Sequence, residues 1–80
     1  PRYPESLRQA AIDGRVLVRF TVDTTGRIDM NSVSVLASTH DLFTRAVRDA
    51  LPAFLFKPAE LGGHRVRALA EMPFEFQITK

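Results

Sequence analysis

The chain has 80 residues and no cysteine, with 45% hydrophobic and 25% charged residues, as in an ordinary soluble globular domain. This length suffices for one small domain, whose core forms without disulfides or thiolate metal sites. Eleven basic and nine acidic residues give a formal net charge of only +2. No run approaches the roughly 20 apolar residues that a membrane-spanning helix needs.

The first predicted elements are a short helix over residues 4–12 and a strand over residues 15–23. Pro4 suits the first turn of a helix, where its missing N–H is not needed, and Gly14 is a natural stop. Residues 15–23 alternate between apolar and polar side chains, which indicates a half-buried strand. Its inward residues are Val16, Val18, Phe20 and Val22.

A hairpin turn at residues 23–26 leads into a second strand, and Gly26 is free to take positive φ there. The apolar residues of this strand then change from even to odd positions. Because a strand changes face only by accommodating an extra residue, we expect a β-bulge near residues 31–32. The alternative is that the strand ends at Met30. The residues concerned are Ile28 and Met30, both predicted inward, and then Val33 and Val35.

The main helix is predicted at roughly residues 40–51. Ser38 and Asp41 have the spacing of a capping box, with Asp in place of the usual Glu or Gln. Proline inside a helix costs about 3 kcal/mol or more, so Pro52 should end or bend the helix at Leu51. The apolar stripe is formed by Phe43, Ala46, Val47, Ala50, Leu51 and Phe54.

The last predicted strand is unusually long and runs from about Arg65 to Ile78. Pro73 lies inside it and donates no hydrogen bond, so this strand should lie at a sheet edge. Its inward face carries Val66, Ala68, Ala70, Met72, Phe74, Phe76 and Ile78, and its outward face carries Arg67, Glu71, Glu75 and Gln77.

The element order α-β-β-α-β predicts an α+β fold: a three-stranded antiparallel sheet (order 2-1-3) with two helices packed on one face. Charge matching selects a register for the first and last strands. The expected pairs are Arg15 with Glu75, Arg19 with Glu71, Asp23 with Arg67, Val16 with Phe74, and Val18 with Met72.

One ordered set of short motifs covers nearly the whole chain. It comprises Tyr3-Pro4-Glu5-Ser6, the strand from Gly14 to Asp23, Gly26-Arg27-Ile28, Phe56-Lys57-Pro58, Gly62-Gly63 and Met72-Pro73-Phe74-Glu75-Phe76. This order and spacing resemble the C-terminal domain of the TonB family, and the resemblance implies the same α-β-β-α-β fold. Pro52 departs from the family pattern, in which the helix usually runs unbroken toward an aromatic residue.

The resemblance implies a periplasmic domain that couples proteins mechanically. Its expected partners are the TonB box and plug of outer-membrane transporters, through which it transduces inner-membrane proton-motive energy for siderophore or nutrient uptake. An N-terminal helix, not present in this chain, would anchor the protein in the inner membrane beside a proton-channel complex. We therefore expect residues 1–80 to be a single domain excised from a longer, membrane-anchored protein.

The candidate binding site is the outer edge of the last strand, because an edge strand offers unpaired N–H and C=O groups to another extended chain. Strand addition is also what the resemblance implies for the TonB box. The alternative is that Pro73 and the strand's charges blunt the edge against aggregation. Both can hold, with the N-terminal half of the strand more open than the part around Pro73. The candidate partner-binding residues are Arg65, Val66, Arg67, Ala68, Leu69, Ala70, Glu71 and Met72.

The sequence offers no candidate catalytic, cofactor-binding or metal site. The two histidines, His40 and His64, lack a cysteine or carboxylate cluster that would complete a metal site, and no hydroxyl residue lies in a Gly-rich elbow. We predict that the protein is not an enzyme.

Two other binding functions remain as alternatives. One is a TolA-like or other periplasmic protein-interaction domain. The other is a small basic nucleic-acid-binding module, suggested by the pI of about 9.7, although a charge-paired sheet face explains the arginines more simply. An RNA-recognition sheet would also expose aromatic residues, whereas the phenylalanines here are predicted inward. No nucleic acid is therefore expected as a partner, while monomer and homodimer are equally open, with a hinge near residues 60–63.

Overall fold

The structure, a computed structural model, describes residues 1–78 and has the predicted α+β fold. The three-stranded antiparallel sheet has the order β2-β1-β5, and β3 and β4 form a separate two-stranded hairpin. Thr79 and Lys80, which the single-domain prediction includes, lie outside the described residues. The elements are α1 (Glu5–Gln9), β1 (Gly14–Val22), β2 (Ile28–Ser38), α2 (Asp41–Ala50), a 3-10 turn (Leu51–Ala53), β3 (Ala59–Leu61), β4 (His64–Val66) and β5 (Ala68–Phe76).

The register between β1 and β5 is the predicted one and has no irregularity. Its ladder ends where Val22 faces Ala68, so the expected pair of Asp23 with Arg67 is wrong. The Arg67 guanidinium instead forms an ion pair with Asp29 on β2, at 2.7 Å. The confirmed pairs are Arg15 with Glu75, Arg19 with Glu71, Val16 with Phe74, and Val18 with Met72.

The bulge predicted in the second strand is present. Arg19 of β1 faces Ser34 of β2, and Thr21 faces Asp29. Between these two pairs β2 contains more residues than β1, so the extra residues form a bulge in β2. The Ser32 hydroxyl fills the interruption, accepting the Thr21 N–H at 2.8 Å and donating to the Asp29 carbonyl at 2.6 Å. The strand therefore continues to Ser38, and the alternative end at residue 30 is wrong.

Two details of β2 differ from the prediction. Met30 is 38% exposed rather than inward, because the bulge begins at this residue and removes it from the regular alternation. A second irregularity lies at Leu36, since Ala37 faces Leu17 while Val35 already faces Val18. The outer edge of this strand is thus interrupted twice.

The prediction of one continuous last strand is wrong, because the chain divides at Arg67 into β4 and β5. β1 ends at Val22, which faces Ala68, so the residues that precede Ala68 have no partner on β1. The strand β4 pairs with β3 instead. Gly62 and Gly63 make the turn between them, with φ of +58° and +80°. At the other end β5 stops at Phe76, so Gln77 and Ile78 lie outside the strand.

The first helix is shorter than predicted. It ends before Ala11, which takes a left-handed φ of +56° and lets the Ile12 N–H bond back to the Leu7 carbonyl at 2.9 Å. This left-handed residue and the bond that spans it are the usual end of a helix. The chain therefore leaves the helix several residues before Gly14.

The second helix matches its predicted bounds closely and gives way to the 3-10 turn at Pro52, as expected. Its cap is different: His40 is the N-cap, and its Nδ1 accepts the Leu42 N–H at 3.0 Å. Ser38 cannot serve as the cap because it still belongs to β2; its hydroxyl accepts from the Thr44 hydroxyl at 2.6 Å. The predicted capping box is therefore wrong.

The core lies between the sheet and the two helices, which cover one face, as predicted. Phe43 of α2 stacks on Phe76 of β5 with ring centroids 4.4 Å apart. Phe54, the last residue of the predicted apolar stripe, is only partly buried and packs against this cluster, since the chain has already left the helix there. The buried side chains are Leu7, Val16, Val18, Phe20, Val22, Ile28, Phe43, Val47, Leu51, Phe74 and Phe76.

Candidate partner-binding edge

The outer edge of β5 is open in the part of the chain that the structure describes, since β5 pairs only with β1. The edge position inferred from Pro73 is therefore correct. What such an edge can bind depends on which backbone groups point outward. The hydrogen bonds of β1 answer that question.

Odd-numbered residues of β1 direct their backbone groups toward β2. The Arg15 carbonyl accepts from the Thr39 N–H at 3.1 Å, and the Arg15 N–H donates to the Thr39 hydroxyl at 3.0 Å. The Thr21 N–H likewise donates to Ser32 of β2. Because backbone groups alternate sides along a strand, the even-numbered residues of β1 point toward β5.

The even-numbered residues of β1 face even-numbered residues of β5, for example Val18 with Met72 and Phe20 with Ala70. These pairs exchange the hydrogen bonds of the ladder, so the odd-numbered residues of β5 face outward. The missing N–H of Pro73 thus lies on the outer edge, where it costs the sheet no bond. The outward residues of β5 are Leu69, Glu71, Pro73 and Glu75.

The small hairpin continues the same alternation. Its turn contains two residues, so the flanking pair, Leu61 and His64, is hydrogen-bonded. By alternation Val66 also faces β3, and Arg65 points its backbone groups away from β3. Apart from Arg67, which lies between β4 and β5, the candidate residues divide into two sets. Arg65, Leu69 and Glu71 present their backbone outward, whereas Val66, Ala68, Ala70 and Met72 are engaged by β1 or β3.

The side chains along this edge are unequal. Leu69 is 70% exposed and stands on the open face of the sheet, opposite Thr21. Glu71 forms an exposed ion pair with Arg19 at 3.5 Å. Arg67 lies at the bend between β4 and β5, and its guanidinium forms an ion pair with Asp29 at 2.7 Å.

The turn beside this edge is held by one carboxylate. Asp23 accepts hydrogen bonds from the Thr25 hydroxyl at 2.6 Å, the Thr25 N–H at 2.8 Å and the Arg27 N–H at 3.1 Å. The bonds from Thr25 are the main cause that lowers the pKa of Asp23, and the nearby charge of Arg67 contributes least. These contacts fix the conformation of the turn between β1 and β2.

Within residues 1–78 no three histidine or acidic side chains come together as a metal site would require. None of the helices in that range is both long and apolar enough to cross a bilayer.

The fold is that of a small α+β domain whose three-stranded sheet ends on one side in β5. The sequence model of the family "Gram-negative bacterial TonB protein C-terminal" matches residues 1–78. The chain belongs to this family, and the predicted resemblance is confirmed.

Known relatives agree with this membership. The chain is 40% identical over 81 residues to "Protein TonB" of Pseudomonas aeruginosa (strain PAO1); the match covers 100% of the chain but only 23% of that relative's length. The solution NMR structure of the Pseudomonas aeruginosa TonB CTD superposes with a TM-score of 0.84 at 40% identity, covering 100% of this chain and 80% of that one.

A more distant structure, the tonb2 protein from Vibrio anguillarum, gives a TM-score of 0.67 at 26% identity, covering 100% of this chain and 76% of that one.

Sequence reasoning missed the break at Arg67, although a signal was present. Gly62-Gly63 separates two short segments by a two-residue turn, which is a strong indication of a hairpin. The predicted alternation of side chains within β5 is confirmed. Once β5 is known to be an edge strand, the sequence therefore also places Leu69 on the open face of the sheet.

Proposed function

We propose that this domain is the C-terminal part of a TonB-like energy transducer, a binding protein rather than an enzyme. It binds the TonB box of outer-membrane receptors by β-strand addition and transmits inner-membrane proton-motive energy for substrate uptake. The protein stands in the periplasm, held to the inner membrane and its proton-channel complex by an anchor outside this chain. The observation that carries the proposal is the open edge of β5, in a chain of this family.

The edge of β5 suits an added strand better than the edge of β2. Its first half is regular and presents complete backbone pairs at Leu69 and Glu71. The edge of β2 is interrupted by two irregularities, near Ser32 and at Leu36. Bulges of this kind prevent edge-to-edge pairing, so the two edges of the sheet are not equivalent.

Backbone hydrogen bonds would supply most of the affinity for a receptor segment. Such bonds do not depend on side-chain identity, which allows one transducer to serve several receptors. The segment must be ordered on binding, so we expect micromolar affinity. Leu69, exposed beside the edge, is the side chain best placed to add an apolar contact.

Leu69→Pro tests the edge directly, with Leu69→Ala as its matched control. The Leu69 N–H faces outward, so proline removes a donor to the partner without removing a bond of the β1–β5 ladder. We expect Leu69→Pro to weaken binding of a TonB-box peptide more than Leu69→Ala, by about 0.5–1.5 kcal/mol for one lost hydrogen bond. NMR titration of the labelled domain measures both variants.

The same titration locates the binding surface. Amide shifts should concentrate at residues 65–72. Shifts that map to α2 instead and leave this edge unchanged would contradict strand addition here. Thermal melts of both variants confirm that each remains folded.

A second copy of the domain is the competing occupant of this edge, since homodimers often pair identical surfaces. Two β5 edges running antiparallel would use the same outward groups as a receptor segment. Self-pairing and receptor binding are therefore mutually exclusive in this proposal.

A further inference from the structure

The outward edge of β5 is complete in its first half and defective after it. Leu69 and Glu71 each offer an N–H and a C=O, Pro73 offers only a C=O, and Glu75 again offers both. The defect costs the domain itself nothing, because the ladder to β1 does not use this position. Its effect falls entirely on a chain that pairs from outside.

An added strand meets this defect in either orientation. Antiparallel or parallel, a chain that continues past Met72 places a carbonyl opposite the pyrrolidine ring of Pro73, where no donor exists. That carbonyl remains bonded to water only if the chain turns away from the sheet. No such obstacle lies at Leu69 or Glu71.

We infer that Pro73 is a specificity-determining residue that ends the added strand. A receptor segment pairs with residues 68–72 and leaves the sheet at Pro73. This inference rests on the proposed function and adds to it a length and a stopping point. The edge should therefore favour short extended segments over long uninterrupted strands. The turn that ends such a segment comes after it or before it, according to the direction in which the segment runs.

The side chains of β5 specify the segment further. On the helix side of the sheet the added strand lies beside Ala70 and Met72, which are half-buried, and on the open side it lies beside the exposed Leu69. A segment with an apolar residue on the helix side covers this partly buried surface. The other face of the segment remains in water.

Pro73→Ala restores the missing donor and tests the inference. The probe is a synthetic peptide carrying a receptor TonB box, in a short form and in a form extended by several residues at both ends. The wild-type domain should bind both forms equally. The Pro73→Ala variant should bind the extended form roughly 2- to 10-fold more tightly than the short one, and the Glu75 amide should become protected from exchange.

Glu75→Pro provides the matched control, since its N–H also faces outward and lies beyond Pro73. Alone it should leave binding unchanged; combined with Pro73→Ala it should reduce the gain, because the missing donor then lies at position 75 while the donor restored at position 73 remains. The inference is overturned if the wild-type domain already gains affinity from the extension, or if Pro73→Ala gains none. If neither form shifts residues 65–72 of the wild-type domain, it is the proposed function that fails.

Discussion

At the scale of single residues, two glycines mark where the packing leaves no room for a side chain. A Cβ on Gly14 would lie 2.1 Å from the ring of Phe43, and one on Gly26 would lie 2.1 Å from the Phe56 carbonyl oxygen. The Gly26 carbonyl also accepts the Phe56 N–H at 2.8 Å. Gly26 thus joins the β1–β2 turn to the segment that follows α2.

Gly26→Ala is therefore expected to be strongly destabilising. It combines a contact with backbone, which cannot move aside, with a φ of +90° that alanine rarely adopts. Gly62→Ala is the control, because at φ +58° it meets no atom within 4 Å and carries only the conformational cost of roughly 1–2 kcal/mol. Thermal melts should show a much larger loss for Gly26→Ala, and equal losses would contradict the packing argument.

At the scale of elements, some features followed from the local sequence pattern and others depended on distant segments of the chain. The alternation of β1 and β5 and their opposite charges predicted the register, and the change of phase in β2 predicted its bulge. The break at Arg67 depends on where β1 ends, which is a property of a distant segment. The cap of α2 likewise depends on how far β2 extends, so Ser38 could not be separated from His40 by spacing alone.

The turn that ends β1 should depend on pH through Asp23. Its pKa in the folded state lies below the ordinary value of 3.8, so its contribution to stability is fully present above about pH 3.8 and is lost as the pH falls through the folded pKa. Asp23→Ala should destabilise the domain at neutral pH, and the difference from wild type should shrink in acid. Melts at several pH values check this; a constant difference would contradict the role of the carboxylate.

At the scale of the whole molecule, the domain is elongated. Its dimensions are 49 × 22 × 15 Å and its radius of gyration is 14.5 Å, against roughly 12 Å for a compact chain of this length. The β3–β4 hairpin, with Leu61 73% exposed, extends beyond the end of β1. It lengthens the side of the molecule on which β5 is open.

We expect the wild-type domain to be mainly monomeric and Pro73→Ala to self-associate more strongly. Two antiparallel β5 edges centred near Glu71 would place Pro73 of each copy opposite Leu69 of the other, where each proline lacks a donor. Light scattering over a concentration series measures this. A stable wild-type dimer at low micromolar concentration, or no change on substitution, would contradict it.

The amino-acid sequence by itself determined the fold class, the order of the sheet, the register of β1 with β5 and the position of β5 at the edge. These features follow from local alternation, turn residues and one proline, which act over a few neighbouring positions. Only the tertiary structure decided where the last strand divides, which side chain caps α2, and that Arg67 pairs with Asp29. Each of these depends on where another segment of the chain ends in space. The periodicity of side chains within one element carries no information about the position of a distant segment.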